Sequence, residues 1–243
     1  MSGHSKWSTI KRQKATTDKK RGLIFTKLAN AITLSVREGG GITNPTMNFR
    51  LRLSIEKARG ANMPKDNIER AIGHGAGSGK DAVIFSELLY EGFGPGGIMI
   101  LVEAVTDNKN RTQGLVRGVF ERNGGRLASS GAVVHQFLRL GILSVAKREP
   151  FDTMLGVALD VGARDVKESL DQFTFYTEPS DLHRIKEKLE EKGTLVIENL
   201  LGYIPNNVVT PVQTDEALII ALLEALEDLN DVQEVYTNAG FLQ

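Results

Sequence analysis

Between residues 6 and 27 the chain carries eight cations, Lys6, Lys11, Arg12, Lys14, Lys19, Lys20, Arg21 and Lys27, against a single acid, Asp18. Cations at this density neutralise phosphates and release condensed counterions, an attraction that is independent of base sequence and weakens with salt. Trp7, the one tryptophan of the chain, lies in the same run. Its ring can stack on an unpaired base, or plug the run onto the helices that follow. Lys11, Arg12 and Lys14 precede the first helix cap, at Thr17 and Asp18, so they belong to an arm that can order on binding. Further along, Arg50 with Lys57 and Arg52 with Arg59 form two aligned pairs on one helix, which extend the basic patch or merely solvate it.

A second group of polar residues, Asp107, Asn108, Asn110 and Arg111, opens a predicted helix. It is a candidate partner-contact loop, although Asp107 or Asn108 acting as a helix cap explains the composition equally well. Other familiar signatures fail on inspection. Counting back from Gly79-Lys80 puts His74 where a phosphate loop needs glycine, and Asp81 where it needs a hydroxyl. Gly92-Phe93-Gly94-Pro95-Gly96-Gly97 matches a dinucleotide fingerprint in letters, but it precedes a strand where that motif must open a helix. It reads as a hairpin turn. His4, His74, His135 and His183 are far apart, and no acid–base pair, nucleophile motif or metal-ligand spacing stands out. The expectation is no enzyme, no metal and no cofactor.

The elements that must position these residues follow from periodicity. A helix from Asp18 to about Arg37 places Ile24, Leu28, Ile32 and Val36 on one side, and Gly39-Gly40-Gly41 stops it. Asn44 and Pro45 predict the start of a second helix with Met47, Leu51, Ile55 and Ala58 on a common face. Pro64 opens a third, Lys65 to Ile72. Strands are predicted at 83–91 and 98–105, and a helix at 109–122. From Val133 the pattern reads strand, turn at Gly141, strand, helix 151–161, strands 164–168 and 171–177, helix 180–191 and strand 194–201. After Pro205 and Pro211 come a helix at 215–229, with Leu218, Leu222, Ala225 and Leu229 aligned, and a strand at 232–236.

The middle ββα unit lacks enough elements to close a core, and the C-terminal helix and strand supply them. This predicts an α+β protein in which an N-terminal three-helix domain is followed by two α+β sandwich (ferredoxin-like) domains, the last inserted in the second. The expected boundaries are 1–80 for the basic helical domain, 81–130 plus 206–243 for the second, and 131–205 for an inserted acidic domain.

The chain of 243 residues balances 30 Lys+Arg against 30 Asp+Glu, but unevenly. Residues 1–80 hold 16 and 5, residues 81–150 hold 8 and 7, and residues 151–243 hold 6 and 18, for net charges of +11, +1 and −12. A basic head seeking a polyanion, with acidic units kept away from it, is the expectation. Zero cysteines exclude disulfides and thiolate chemistry and fit a reducing compartment. No signal peptide or apolar span is evident, so a cytoplasmic protein with no membrane association is expected. The acid-free first 17 residues resemble a transit segment in charge, but the start Met and the adjoining motif argue against one.

Five stretches together resemble the YebC-type family: Gly3-His4-Ser5-Lys6-Trp7, Lys19-Lys20-Arg21-Gly22 through Phe25-Thr26-Lys27, Ala61-Asn62-Met63-Pro64-Lys65-Asp66-Asn67-Ile68, Tyr90-Glu91-Gly92-Phe93-Gly94-Pro95-Gly96-Gly97, and Thr106-Asp107-Asn108-Lys109-Asn110-Arg111-Thr112. Residues 130–135, Ser-Gly-Ala-Val-Val-His, depart from the expected Gly-Ser-Val pattern. The resemblance covers essentially the whole chain. It implies three domains with the last inserted, and a DNA-binding regulator of transcription, as bacterial relatives are described. Other relatives look like ribosome-associated factors that assist translation through proline runs, and a mitochondrial translational activator of cytochrome c oxidase belongs to the same family.

The expected partner is therefore nucleic acid, DNA or ribosomal RNA, together with the transcription machinery or the ribosome. A protein-binding module that recruits a basic partner through its acidic surface, and a ligand-sensing regulator, are the readings from other classes.

Overall fold

A computed structural model describes residues 18–77 and 85–241, which form two compact units, one of 1–136 with 205–243 and one of 137–204. In the first unit three helices come first: α1 (Asp18–Glu38), α2 (Phe49–Gly60) and α3 (Lys65–Gly75). Leu28, Ile32 and Val36 of α1 meet Leu51, Ile55 and Ala58 of α2 and Ile68 and Ala71 of α3 in one core. A Cβ on Gly75 would come within 2.6 Å of Val36 Cβ and 2.7 Å of Thr33 O, so this glycine permits the close approach of α1 and α3.

The second helix begins later than the sequence predicts. Asn44 is occupied by a local turn, accepting from Thr46 N at 3.0 Å, and Met47 lies 71% exposed outside the helix. The cap is the buried Asn48. Its Oδ1 accepts from Leu51 N at 3.0 Å, while its Nδ2 donates to Ser35 O at 2.9 Å and Ile42 O at 3.1 Å. One side chain thus starts α2 and ties it to the end of α1. Between α2 and α3, Asn62 takes φ 57°, a left-handed turn that asparagine tolerates, and lets Met63 return to the core.

The first sheet has the order β3-β1-β2-β8, built from β1 (Ser86–Phe93), β2 (Met99–Thr106), β3 (Arg126–Leu127) and β8 (Val232–Thr237). The turn between β1 and β2 puts Gly96 at φ 65° and Gly97 at φ 73°, as the hairpin reading of this glycine-rich run requires. On one face lie α4 (Lys109–Arg122) and α7 (Gln213–Glu227), with Ile100, Val102, Phe120, Leu222, Leu226 and Val235 in the shared core. α7 is turned relative to expectation. Ile219, Leu222, Leu223 and Leu226 are its buried side, while Leu218 is 52% exposed. The nearly continuous apolar run Ala217–Leu223 offers more than one possible face, and packing selects between them. The other face of the sheet receives α1, which packs on β2 and β8 over the buried Leu101 and Val105.

The second unit carries the sheet β5-β6-β4-β7, from β4 (Phe137–Ala146), β5 (Asp165–Glu168), β6 (Gln172–Thr177) and β7 (Val196–Pro205), with α5 (Phe151–Val161) and α6 (Leu182–Glu191). Leu143, Phe173, Phe175, Leu182, Ile185 and Leu189 are fully buried in it. Two expectations are corrected here. Val133 is buried but lies outside any strand. β4 runs unbroken through Gly141, which pairs with Thr177. A Cβ at Gly141 would press on Thr177 Oγ1 and on Leu182 Cβ, so the glycine serves close packing, with no turn.

Candidate nucleic-acid interface

The cations of the helical head fall into two groups. Lys27 points inward from α1, its Nζ donating to Glu227 O at 2.5 Å. Glu227 ends α7, so the lysine satisfies a carbonyl that the helix leaves open and opposes the negative end of its dipole. Arg50 on α2 donates to both carboxylate oxygens of Glu87 on β1, at 3.0 and 2.9 Å, and also pairs with Glu38. Burial works against the Arg50 charge, and the two carboxylates more than offset it, holding the guanidinium above its ordinary range. Lys57 Nζ reaches Glu234 Oε1 on β8 at 2.5 Å. Arg52 is half-buried, with its guanidinium 5.7 Å over the Phe49 ring.

The aligned pairs on α2 are thus divided. Arg50 and Lys57 fasten the helices to acids on β1 and β8, whereas Arg37, Arg59 and Arg70 make no ion pair among the described residues. Arg59 and Arg70 are exposed, as is Arg21 near the start of α1. Lys19 and Lys20 lie in the first turn of α1. Lys6, Trp7, Lys11, Arg12 and Lys14 lie outside the described residues.

The charge asymmetry has a further meaning that linear counting hides. Residues 205–243 carry seven acids and no Lys or Arg, and they belong to the same unit as the basic helices. Part of the −12 therefore lies in the same unit as the head, and Glu234 pairs directly with Lys57 of the head, instead of standing apart from it as expected.

The polar loop before α4 is fully engaged at its centre. Asn108 is the helix cap, its Oδ1 accepting from Arg111 N at 3.0 Å. Asp231, just before β8, accepts from Thr112 Oγ1 at 2.6 Å, Thr106 Oγ1 at 3.2 Å and Arg111 Nη2 at 3.0 Å. Arg111 also pairs with Asp107 at 2.7 Å. Hydrogen bonds and charge from Asp231 first, and from Asp107 next, raise the affinity of the guanidinium for its proton. Asn110 and Lys109 remain exposed at the start of the helix. The loop is thus an internal clasp joining α4 to the chain before β8, with part of its rim outward.

Glu91 is a functional-looking residue that composition did not single out. It is 3% exposed, yet among the described residues no cation forms an ion pair with it. Its carboxylate accepts three backbone N–H groups, from Gly131 at 2.6 Å, Val133 at 2.5 Å and Val134 at 2.8 Å. Burial alone would push its pKa up, but the three donors and His135 outweigh that and hold it below the usual range. This organises the stretch 130–135. The chain leaving at Gln136 and returning at Asn206 is joined by Asn206 N donating to Gln136 O at 2.8 Å. Sequence could not have found the cradle, because its partners are backbone groups 40 residues away.

Among the described residues no group of three or more His, Asp or Glu is placed to hold a metal, and no helix is long and apolar enough to cross a membrane.

A basic three-helix head on an α+β unit, with a second four-stranded unit set into the chain, defines the class of protein. The family models described as TACO1/YebC protein N-terminal domain and TACO1/YebC second and third domain match residues 5–78 and 85–239. The chain belongs to the TACO1/YebC family. Proteins named "Probable transcriptional regulatory protein" are similar along its length. That of Acidithiobacillus ferrooxidans is 45% identical over 238 residues, 98% of this chain and 94% of the relative. That of Thermotoga maritima is 44% identical over 240 residues, 98% and 93% of the two chains. A crystal structure of a conserved hypothetical protein from Aquifex aeolicus superposes with a TM-score of 0.85 at 41% identity, covering 95% of this chain and 94% of that one.

Proposed function

We propose that the protein is a non-enzymatic, nucleic-acid-binding regulator of gene expression, acting on DNA in transcription, with the basic N-terminal arm and the start of α1 as its phosphate-contacting surface. The observation that carries the reading is the excess of cations over acids in residues 1–80 that remains after the internal pairs are set aside. Lys27, Arg50 and Lys57 serve the fold, and Lys6, Lys11, Arg12, Lys14, Lys19 and Lys20 are the cations assigned to phosphates, with Arg21 beside them. The names carried by the similar bacterial proteins agree with this. The three domains expected from the sequence, 1–80, 81–130 with 206–243, and 131–205, then act as a binding head, its support and an inserted acidic unit.

Ribosomal RNA is the second reading, with the protein assisting translation through proline runs. It is favoured by one feature: Arg37 and Arg59 occupy the last turns of their helices and offer no row of base-reading side chains, so the chemistry on offer is to phosphate, which RNA presents equally. The test is sequencing of nucleic acid crosslinked to the protein in growing cells, with DNA and RNA libraries from one sample. Enrichment at promoters supports the transcriptional reading. Enrichment in ribosomal RNA with little DNA replaces it with the translational one.

A further inference from the structure

The helical head is not the only basic surface of the first unit. On α4 the buried side consists of Thr112, Val116, Val119 and Phe120, facing the sheet and α7. The opposite side presents Asn110, Gly114, Arg117 and Glu121, spaced by three or four residues so that they form one outward row. Arg117 and Arg122 are both exposed and form no ion pair among the described residues, nor does Lys109 at the start of the helix. Arg126, exposed just past the helix, lies with its guanidinium 5.0 Å over the Phe93 ring. Four exposed cations thus lie on or beside α4 against one acid, Glu121.

The row is smooth as well as basic. Gly114 sits in the middle of a helix, where glycine is less favourable than alanine by about 1 kcal/mol, and a Cβ there would meet nothing within 4 Å. Internal packing does not require this glycine. At Gly118 a Cβ would lie 3.0 Å from the guanidinium of Arg122, which is draped over that position. A bare strip of helix flanked by arginines lets an extended, negatively charged backbone come close to the helix while guanidinium groups reach its phosphates. A second copy of this chain fits less well, since like-charged rows would face each other.

We propose that the outer face of α4 is a second nucleic-acid contact, which grips the phosphate backbone through Arg117 and Arg122 on the side of the sheet opposite α1. It rests on the reading that the protein binds nucleic acid, and it adds that the chain is gripped at two places, by the head and by α4.

The test uses the full chain and two labelled probes, a DNA duplex and an RNA hairpin, titrated at several salt concentrations. Arg117→Ala with Arg122→Ala should weaken binding several-fold and lower the slope of log affinity against log salt by about 2. Gly114→Glu provides the control for folding. It replaces a poor helix former, so the thermal midpoint should hold or rise, while the added carboxylate weakens binding. Lys11→Ala with Arg12→Ala and Lys14→Ala reports on the head separately. Unchanged affinity and slope for both α4 variants, with the head variant impaired, would overturn the second contact and leave the first standing. Failure of the unmodified protein to bind either probe would overturn both.

Discussion

Lys57 on α2 and Glu234 on β8 meet at 2.5 Å although 177 residues separate them in the chain. The pair joins the most basic segment of the sequence to its acidic end, so the charge gradient along the chain closes on itself in the fold. Lys27, bonded to the last carbonyl of α7, and Arg50, bonded to Glu87 on β1, fasten the head at two further points.

The Lys57–Glu234 pair is half-exposed on the lysine side, so its worth is limited to about 1 kcal/mol or less. A double-mutant cycle of Lys57→Ala and Glu234→Ala, read by denaturant unfolding, should give a small favourable coupling that shrinks as salt is added. A coupling that grows with salt would contradict an ionic origin.

Asp231 should matter far more. Its carboxylate accepts from Thr112, Thr106 and Arg111 while 9% exposed, and its removal takes the shared acceptor from two buried hydroxyls, which keep longer contacts to Asn108 O. Asp231→Ala is expected to cost about 2–4 kcal/mol, and Thr112→Val about 1 kcal/mol, measured as shifts in the urea midpoint. Equal small losses for both would show that the clasp is not centred on the carboxylate.

The cradle around Glu91 gives the protein an acid-sensitive joint. A carboxyl held below its ordinary range binds protons less readily folded than unfolded, so its contribution is complete above about pH 4.3 and is lost as pH falls through the lower folded value. Glu91→Gln should be less stable than the parent at neutral pH, and the gap should narrow in acid. Thermal midpoints from pH 7 downwards check this; a gap that widens in acid would contradict the cradle.

Gly92 is fixed by its neighbours, not by its backbone angles. A Cβ there would lie 2.5 Å from the Phe120 ring and 2.9 Å from Arg126 O. Gly92→Ala should destabilise by about 1–3 kcal/mol through overpacking, with hydrogen exchange rising first in β3 and α4. Gly114→Ala, in open space, should stabilise.

Much of this architecture was legible in the residues. The helix expected at about 109–122 is found at Lys109–Arg122, and of the two cap candidates, Asp107 and Asn108, it is Asn108 that caps it. The hairpin at Gly94–Gly97 follows from glycines that only left-handed positions require. Where reading failed, two local signals competed or a partner was remote. Asn44 and Asn48 are both good caps, and only burial against Ser35 O selects the second. Gly141 looks like a turn until Thr177 and Leu182 are placed beside it. The inward role of Lys27 depends on Glu227, 200 residues away, and no spacing along the chain reveals it.

The central claim is that the N-terminal arm neutralises phosphates. The most direct measurement is the salt dependence of nucleic-acid binding by the full chain and by Lys11→Ala with Arg12→Ala and Lys14→Ala. The account predicts weaker binding on every sequence tested and a salt slope reduced by about 2–3. An unchanged slope with unchanged affinity would contradict it.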